Sequence, residues 1–365
     1  MTGEFLYRQP VEIHFGRGKF DGLTALLAEK GIRRALIVCG SHFAPKAEAL
    51  AAAGQGVCGV YSHVQADPQL SDVQAAAALA SEMEADAIIG VGGGSAMDSA
   101  KFAAAIVDDY DSADGYFEGK RPFPARRPPV IAVPTTAGTG SEVTQVSVIS
   151  RGEEKRTIND PAFMPALALV DPALGDTVPP HVVMCTGLDA LAHALEGYWS
   201  RHHQPISDLM AVEAVRRIWA NLERAWRDRG DTEACDEMAF AALLGGLSFA
   251  LPKTAGCHAC SYPLCQHFHI SHGEACAFTL DSFVLANADD RLAYLCRAAG
   301  VGTVEDLAHR IREWKAMAGL RTRLRDLGDT PPRQLAREAA AHPLMGNNPV
   351  PMDEDALCAL FTALQ

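Results

Sequence analysis

The sequence predicts an α/β domain followed by an all-α domain. In the first half, short apolar runs alternate with segments of helical periodicity, and several of these runs end in glycine. From about residue 175 the pattern is helical almost throughout. Because strands that alternate with helices form parallel sheets covered by helices, we expect such a sheet in residues 1–175 and a helical domain in residues 176–365, with the boundary near 172–180.

The predicted strands of the first domain are short, buried apolar runs. They are RRALIVCG at 33–40, AIIGVGGG at 87–94 and PPVIAVPTT at 128–136. Helical periodicity follows in SDVQAAAALASEMEADA and in SAMDSAKFAAAIV, and further β structure is predicted for SEVTQVSVIS and ALALVDP. Apolar runs of this kind are typical of strands that are covered on both faces.

The second domain consists of apolar stretches with helical spacing. The clearest are ISDLMAVEAVRRIWANLERAW, DEMAFAALLGGLSFAL, LAYLCRAAG, VEDLAHRIREWKAM and DEDALCALFTAL. We expect the helix that passes through residue 240 to continue as far as His258.

The composition narrows the classes of function. Hydrophobic residues make up 48% and charged residues 21% of the 365 residues, as in soluble globular proteins. The net charge of −13 argues against non-specific nucleic-acid binding, which needs basic surface. No apolar run is long enough to span a bilayer, and MTGEFLYRQPVEIHFG lacks the features of a signal peptide. We expect a cytoplasmic protein that binds neither nucleic acid nor membranes, and a homodimer is compatible with the sequence.

Cysteine usage is consistent with a reducing compartment. The chain has ten cysteines, and Cys257 and Cys260 form a C-x-x-C. That pair is compatible with half of a zinc site or with a redox pair, but no second C-x-x-C is present to complete a four-cysteine zinc site. We interpret the cysteines as small, buried thiols.

Two loops rich in glycine and hydroxyl groups follow predicted strands. The first, GGGS from Gly92 to Ser95, leads into a helix, where glycines let a ligand approach the backbone and the helix N-terminus favours an anion. It differs from the common G-x-G-x-x-G fingerprint. The second loop is PTTAGTGSE at 134–142. Because ligands bind at the carboxyl ends of parallel strands, we expect the two loops to hold a pyrophosphate between them.

Four residues of the second domain suggest a metal site. Asp189 and His193 are four residues apart, so they share one face of a predicted helix, although a salt-linked helical pair has the same spacing. His258 and His272 can join them from either side of a turn. One carboxylate oxygen and three imidazole nitrogens suit Fe²⁺ or Zn²⁺, and such a set with room for a substrate oxygen is typical of a catalytic site.

The order and spacing of five motifs resemble those of the iron-containing (group III) alcohol dehydrogenase family over nearly the whole chain. The resemblance implies a Rossmann-like N-terminal domain that binds NAD(P), a helical domain that binds a divalent metal, and an active site in the cleft between them, in a dehydroquinate synthase-like architecture. The motifs are GGGSAMDSAK at 92–101, PTTAGTGSE at 134–142, DP at 171–172, GLDALAHALE at 187–196 and H-x13-H-G from His258 to Gly273.

The resemblance also implies roles for individual residues. The metal ligands it implies are Asp189, His193, His258 and His272. The residues it implies at the dinucleotide are Gly93, Gly94, Ser95, Thr135, Thr136 and Thr139, with Asp98 and Lys155 near the cofactor. The expected chemistry is reduction of an aldehyde, with the metal as Lewis acid and NADH or NADPH as hydride donor.

The chain departs from the family at one position. Many members have a second histidine four residues after the third ligand, linked to proton relay or substrate contact, and this chain has Tyr262 there. A phenol has an ordinary pKa of about 10, so the relay does not transfer unchanged. We therefore expect His267 to be the catalytic substitute, beside Tyr262, and we interpret His269 as a polar residue of the cleft.

Within the family, the strings KTAGCHACSYPL, HG-x-ACAFTL and NNPVP are most similar to reductases that convert phosphonoacetaldehyde to 2-hydroxyethylphosphonate. Reductases of sulfoacetaldehyde or lactaldehyde-type substrates share these features. Two other classes stay open at this point. One is a non-redox metal lyase of the dehydroquinate synthase type, and the other is an inactive binding protein.

The substrate is expected to be a small anionic aldehyde. Lys253 lies five residues before His258, where a helix would bring it toward the cleft, and Tyr262 lies four residues after it. Asn347 and Asn348 would add donors if the C-terminal segment folds back. These four residues form our predicted substrate site.

The expected choice of cofactor follows from the end of the first strand. An acidic residue there often binds the ribose 2′-hydroxyl and repels a 2′-phosphate. This chain has Cys39, Gly40 and Ser41 instead. We therefore expect Gly40 and Ser41 to line the ribose site and NADPH to be accepted.

Overall fold

The computed structural model describes residues 4–125 and 127–365. Its strands are short, and those of the sheet are mostly buried, although the first strand is exposed or half-buried. In chain order they are β1 (Glu12–Phe15), β2 (Ala35–Cys39), β3 (Val57–Tyr61), β4 (Ala87–Gly92), β5 (Val130–Pro134), β6 (Val146–Arg151), β7 (Glu154–Asn159) and β8 (Leu167–Val170).

Six of the strands form one parallel sheet in the order β1-β8-β5-β4-β2-β3. Successive residues of a strand point to opposite faces, and both faces of this sheet are covered. Leu36 and Val38 contribute to the apolar core on one face, whereas Ile37 and Cys39 contribute to the core on the other. This double cover is the reason that the strands are continuously apolar in sequence.

The helices of this α/β unit lie on the two faces of the sheet. Residues of α1 and α2 belong to one core, and residues of α3, α4 and α5 belong to the other. Their bounds are α1 (Leu23–Glu29), α2 (Ala44–Ala53), α3 (Leu70–Glu82), α4 (Gly94–Ile106) and α5 (Ala113–Phe117). Gly90 of β4 lets α4 pack closely, because a Cβ there would lie 2.8 Å from the Cβ of Ala100.

The stretch SEVTQVSVIS contains a strand, as predicted, but this strand lies outside the parallel sheet. β6 pairs with β7 as an antiparallel hairpin. The partner strand EKRTIN is mostly polar and alternates between exposed and half-buried residues. Its sequence therefore gives little sign of a strand.

The second unit is helical. Its bounds are α6 (Pro180–Trp199), α7 (Pro205–Arg227), α8 (Thr232–Phe249), α9 (Gly256–Phe268), α10 (His272–Ala286), α11 (Asp290–Ala298), α12 (Val304–Met317), α13 (Pro332–Ala341) and α14 (Glu354–Ala363). Helix α6 is buried along most of its length and contributes to the core that also holds Trp314, Phe278 and Phe283. Within the part of the chain that the structure describes, none of the helices could cross a membrane.

The chain folds into two compact units, which divide close to the predicted boundary. The α/β unit comprises residues 9–125, 127–136 and 141–175, and the helical unit comprises 4–8, 137–140 and 176–365. The short segment 137–140, from the middle of the loop PTTAGTGSE, thus clusters with the helices rather than with the sheet.

One predicted helix is wrong in extent. The helix through residue 240 ends at Phe249, and His258 lies on the separate helix α9. Pro252 explains the break, because proline has no N–H and its ring clashes with the preceding helical turn. Lys253 therefore lies in a turn, with a positive φ of 69°, and not on a helix as expected.

Candidate metal and nucleotide sites

Three helices of the helical unit bring the four predicted metal ligands together. Asp189 and His193 lie one turn apart on α6, His258 lies in the first turn of α9, and His272 is the first residue of α10. The close approach of α10 to α6 depends on Gly273, because a Cβ there would lie 2.3 Å from the carbonyl oxygen of Cys185.

The ligand atoms converge on the carboxylate of Asp189. Its Oδ1 lies 3.9 Å from Nε2 of His193, 3.7 Å from Nε2 of His258 and 3.8 Å from Nε2 of His272. This oxygen is buried and has no hydrogen-bond partner among the described residues. Donors that lie about 2.1 Å from one ion lie less than about 4.2 Å from each other, so these spacings fit a shared small cation.

The protonation of two histidines is compatible with a shared cation. Nδ1 of His193 donates to the carbonyl of Gly138 at 3.2 Å, and Nδ1 of His258 donates to the carboxylate of Glu196. Each Nδ1 therefore carries a proton, and the two Nε2 atoms face each other across 3.0 Å. Two such nitrogens repel each other unless a proton or a metal cation lies between them.

The electrostatic surroundings keep His193 neutral. Its complete burial lowers its pKa well below the ordinary value, and the neighbouring His258 lowers it further. Burial alone would also lower the pKa of His258, but the charge and hydrogen bond of Glu196 outweigh it and the pKa is raised. Neutral His193 is ready to ligate, whereas His258 must give up its second proton when metal binds.

A thiol adjoins the ligand set. Cys276 Sγ lies 3.6 Å from Nε2 of His272, and a grouping of ligand atoms within 4.8 Å of one another contains Cys276 with Asp189, His258 and His272 but without His193. Burial raises the pKa of Cys276 well above its ordinary value, so the thiol is protonated. We assign the fourth position to His193, whose bare Nε2 faces His258. Cys276 escaped the sequence analysis although its four-residue spacing from His272 was visible.

Aromatic rings border the ligands on two sides. Phe249 stacks on His193 with ring centroids 4.2 Å apart. One turn after His258, Tyr262 stacks on His342, again with centroids 4.2 Å apart. The pKa of His342 is lowered, chiefly by burial and also by the charge of His258, so His342 lies within electrostatic range of the ligands. Nδ1 of His342 accepts from the backbone of Leu344, which leaves Nε2 to carry the proton.

The other predicted histidines lie elsewhere. His267 is in the last turn of α9, where its Nε2 lies 2.8 Å from a carboxylate oxygen of Glu338. His269 ends the same helix in the left-handed conformation. The catalytic role of His267 stays a prediction, but the described contacts join it to Glu338 and not to the ligands.

The predicted substrate residues divide into two groups. Lys253 is half-buried, and its Nζ donates to the carbonyl of Ala250. The C-terminal segment does fold back, but Asn347 donates to the carbonyl of Thr254, and Asn348 exchanges two hydrogen bonds with Asn287. The two asparagine amides thus hold the chain together, so the expectation that they bind substrate loses its support.

In the α/β unit, the two predicted phosphate loops lie side by side. Thr135 N donates to the carbonyl of Gly92 at 2.9 Å, and a Cβ on Gly93 would lie 3.5 Å from the hydroxyl of Thr136. Gly94 begins α4, so the first N–H groups of this helix border both loops. These features are those of an anion site at a helix N-terminus. Thr139 belongs to the segment that clusters with the helical unit.

Three further predicted cofactor residues form hydrogen bonds or ion pairs with other residues of the protein. Ser95 donates to the carbonyl of Ala66, and Lys155 pairs with Asp67. Asp98 is buried and accepts from Ser141 and from the backbone of Val148. Asp98 therefore stabilises the loop at 134–142 through its hydrogen bond with Ser141.

Lys101 joins the network around Asp98, and sequence reasoning missed it. Its fully buried ammonium donates to Ser141, to the carbonyl of Val146 and, at 3.4 Å, to Asp98. Burial lowers its pKa, although Asp98 partly opposes the shift.

Comparison with known proteins identifies the family. Residues 10–172 match the family "iron-containing alcohol dehydrogenase", and residues 183–365 match the C-terminal domain of the same family. The chain belongs to the iron-containing alcohol dehydrogenases. It is therefore an oxidoreductase of alcohols or aldehydes that uses a divalent metal and a nicotinamide dinucleotide.

Individual relatives span most of the chain. A sulfoacetaldehyde reductase from Bifidobacterium kashiwanohense, solved with NAD⁺, is 36% identical, covers 99% of both chains and superposes with a TM-score of 0.94. Long-chain-alcohol dehydrogenase 1 from Geobacillus thermodenitrificans is 35% identical over 83% of this chain and 81% of its own. A sulfoacetaldehyde reductase from Bilophila wadsworthia is 31% identical over 83% of each.

The residues after β2 allow a test of cofactor choice in this alcohol dehydrogenase. Ser41 is exposed in the turn that follows Gly40. A carboxylate at this position would repel a 2′-phosphate, so Ser41→Asp is expected to lower kcat/KM for NADPH about five- to tenfold while that for NADH changes little. The control is Ser41→Asn, which has the same shape without charge. Equal changes for both cofactors in the aspartate variant would show that residue 41 does not face the ribose.

Proposed function

We propose that this protein reduces a short aldehyde bearing an anionic head group to the primary alcohol, with NADH or NADPH as hydride donor. Membership of the alcohol dehydrogenase family supports the reaction type. The observation that carries the choice of an anionic substrate is the state of Lys253.

Lys253 is a poorly compensated cation. It is half-buried, burial lowers its pKa, and its Nζ donates only to the backbone carbonyl of Ala250 among the contacts described. Within the described residues, 4–125 and 127–365, no carboxylate forms an ion pair with it. A buried charge without a counter-ion is costly, and an anionic ligand would offset that cost. The turn that holds Lys253 leads directly into α9, which carries His258.

The turn is also rigidly held. The hydroxyl of Ser200 donates to the carbonyl of Pro252, and Asn347 donates to the carbonyl of Thr254. These contacts fix the backbone on both sides of Lys253. A preorganised ammonium loses less freedom on binding an anion than a mobile surface lysine does.

The residues divide the chemistry among them. Asp189, His193, His258 and His272 would hold the metal, and the loops at Gly92–Ser95 and 134–142 would hold the dinucleotide. When bound, the metal withdraws electrons from the carbonyl oxygen and the reduced nicotinamide supplies the hydride. Phe249, stacked on His193, limits the access of water to the ligands.

The product oxygen must gain a proton, and Tyr262 with its neighbour His342 is our candidate for supplying it. Tyr262 lies one turn from His258, and its ring stacks on that of His342. The phenol of Tyr262 is the acid, and the neutral ring of His342 holds it in place. We therefore propose this pair, rather than His267, for the position at which many relatives have a second histidine. Loss of the phenol in Tyr262→Phe tests its share of this role.

Two substrates have the required form. Phosphonoacetaldehyde is favoured by the resemblance of the motifs around His258, and sulfoacetaldehyde is the substrate in the names of two relatives. Both are two-carbon aldehydes with a tetrahedral anionic head. Lys253 alone does not distinguish a phosphonate from a sulfonate, so the experiment must.

The test is a comparison of kcat/KM for phosphonoacetaldehyde, sulfoacetaldehyde and the neutral analogue 3,3-dimethylbutanal, each with NADH and NADPH, on enzyme loaded with Fe²⁺ or Zn²⁺. A charge-assisted contact is worth roughly 1.5–3 kcal/mol, so the better anionic substrate should exceed the neutral one by about ten- to a hundredfold. Equal kcat/KM values for charged and neutral aldehydes would contradict the proposed site for an anionic head group but would not affect the assignment as a reductase.

Lys253→Met is expected to remove most of the preference for the anionic substrate. The methionine keeps the apolar stem and deletes the charge, so kcat/KM for the anionic aldehyde should fall about tenfold or more while that for 3,3-dimethylbutanal changes little. Lys253→Arg is the matched control, because it keeps the charge. A uniform loss on charged and neutral substrates would assign Lys253 a structural role instead.

A further inference from the structure

Glu196 is a completely buried carboxylate that the sequence analysis did not single out. It lies on α6, three residues after the ligand His193 and seven after the ligand Asp189, so all three share one helix face. Its side chain reaches the first turn of α9, where His258 lies.

The two carboxylate oxygens of Glu196 have different partners. Oε1 accepts from the backbone N–H of Cys257 at 2.6 Å and, more weakly, from that of His258 at 3.4 Å. These are N–H groups of the first turn of α9, which have no partner within the helix. Oε2 accepts from Nδ1 of His258. One side chain thus caps a helix and fixes an imidazole.

We propose that Glu196 is a positioning residue of the metal site, because it holds α9 and the metal-competent tautomer of His258 at the same time. Both functions require a hydrogen-bond acceptor, and each of the two carboxylate oxygens provides one. With its proton held on Nδ1, His258 must present Nε2 to the metal. Carboxylates that orient ligating histidines in this way also make the imidazole a better donor.

The amide of glutamine has the same shape but cannot meet both requirements. If its oxygen faces the N–H groups of α9, its NH₂ group faces Nδ1 of His258. That nitrogen must then accept, the proton moves to Nε2, and the ligand atom is blocked. If the amide is reversed, its NH₂ group faces two backbone donors. Either orientation loses one of the two functions.

The experiment measures metal affinity of the full-length protein by competition of Zn²⁺ with a chromophoric chelator, with no substrate or nicotinamide present. Glu196→Gln is expected to weaken Zn²⁺ binding about ten- to a hundredfold, the effect typical of residues that orient metal ligands. The electronic absorption spectrum of the Co²⁺-loaded variant should change as well, because the donor set changes.

Asp281→Asn is the matched control. Asp281 is another buried carboxylate of the helical unit, on the same helix as His272, but it pairs with Lys315 and makes no described contact with a metal ligand. Its replacement should alter stability to a similar extent and change Zn²⁺ affinity less than threefold. Equal losses of affinity in the two variants would overturn the proposal, as would a Glu196→Gln protein that binds Zn²⁺ within threefold of the unmodified one.

Glu196→Asp provides a second test should the glutamine variant fail to fold. It keeps both acceptor oxygens and the charge but is one methylene shorter, so it cannot reach α9 and His258 equally well. We expect a loss of Zn²⁺ affinity of at least threefold, and unchanged affinity would count against the proposal. None of these outcomes depends on the aldehyde that the enzyme reduces.

Discussion

Replacement of His272 by alanine is expected to lower kcat/KM about a thousandfold or more and to strip the divalent metal while leaving the apoprotein folded. A Lewis acid is worth several kcal/mol in the transition state, and each 1.36 kcal/mol is about tenfold in rate. His272 is the best of the four proposed ligands to remove because its side chain is 43% exposed, whereas the other three are buried. Metal content by elemental analysis, with circular dichroism and steady-state kinetics, checks each part.

His258→Ala is the variant to compare with His272→Ala. It should also abolish activity and metal binding, but it removes the partner of the buried Glu196 carboxylate. Breaking a buried charged pair in this way costs about 3–5 kcal/mol, so this variant should unfold at clearly lower urea concentration than His272→Ala. Retention of metal and turnover in His272→Ala would exclude His272 from the site, and equal stability of the two variants would argue against a stabilising contact between Glu196 and His258.

Lys101→Ala is expected to destabilise the α/β unit by about 3–5 kcal/mol, the usual cost of stranding a buried charge. Its ammonium is fully buried and holds Ser141, the carbonyl of Val146 and the carboxylate of Asp98. Loss of these contacts also frees the base of the loop at 134–142, so NADH binding should weaken together with stability. Urea unfolding and fluorescence titration of NADH report the two effects.

A second substitution separates charge from packing in this network. In Lys101→Met with Asp98→Asn, both members of this ion pair are replaced by uncharged residues, and the amide oxygen can still accept from the backbone of Val148. Part of the lost stability should return, because a neutral buried amide costs less than an unpaired carboxylate. If the double variant is no more stable than the single one, the loss arises from the cavity rather than from charge.

The features of this protein that depend on local sequence patterns could be predicted from the sequence. Strands were recognisable because they are apolar on both faces, and Asp189 and His193 because helical spacing puts them on one face. The same spacing extends to Glu196, which could have been found by continuing the face one turn further. The strand at 154–159 was missed because it is polar, and its pairing depends on a partner that the local pattern does not show.

Contacts between residues that lie far apart in the chain could not be predicted from the sequence. His342 follows Tyr262 by 80 residues, and no periodicity links a loop residue to a helix so far away in the chain. Asn347 and Asn348 were expected to bind a ligand because they offer hydrogen-bond donors, yet Asn347 donates to the backbone of Thr254 and Asn348 pairs with Asn287. The family match fixed the reaction class, whereas the partners of individual side chains required the structure.

The unequal burial of the four proposed ligands has a consequence for how this enzyme acquires its metal. Asp189, His193 and His258 are almost fully buried and take shape only when α6 and α9 dock, whereas His272 remains accessible. Loading is therefore expected to follow folding, with the ion arriving from solvent on the side of His272 and leaving the same way under a chelator. We therefore expect the folded apoprotein to take up an ion again once the chelator is removed.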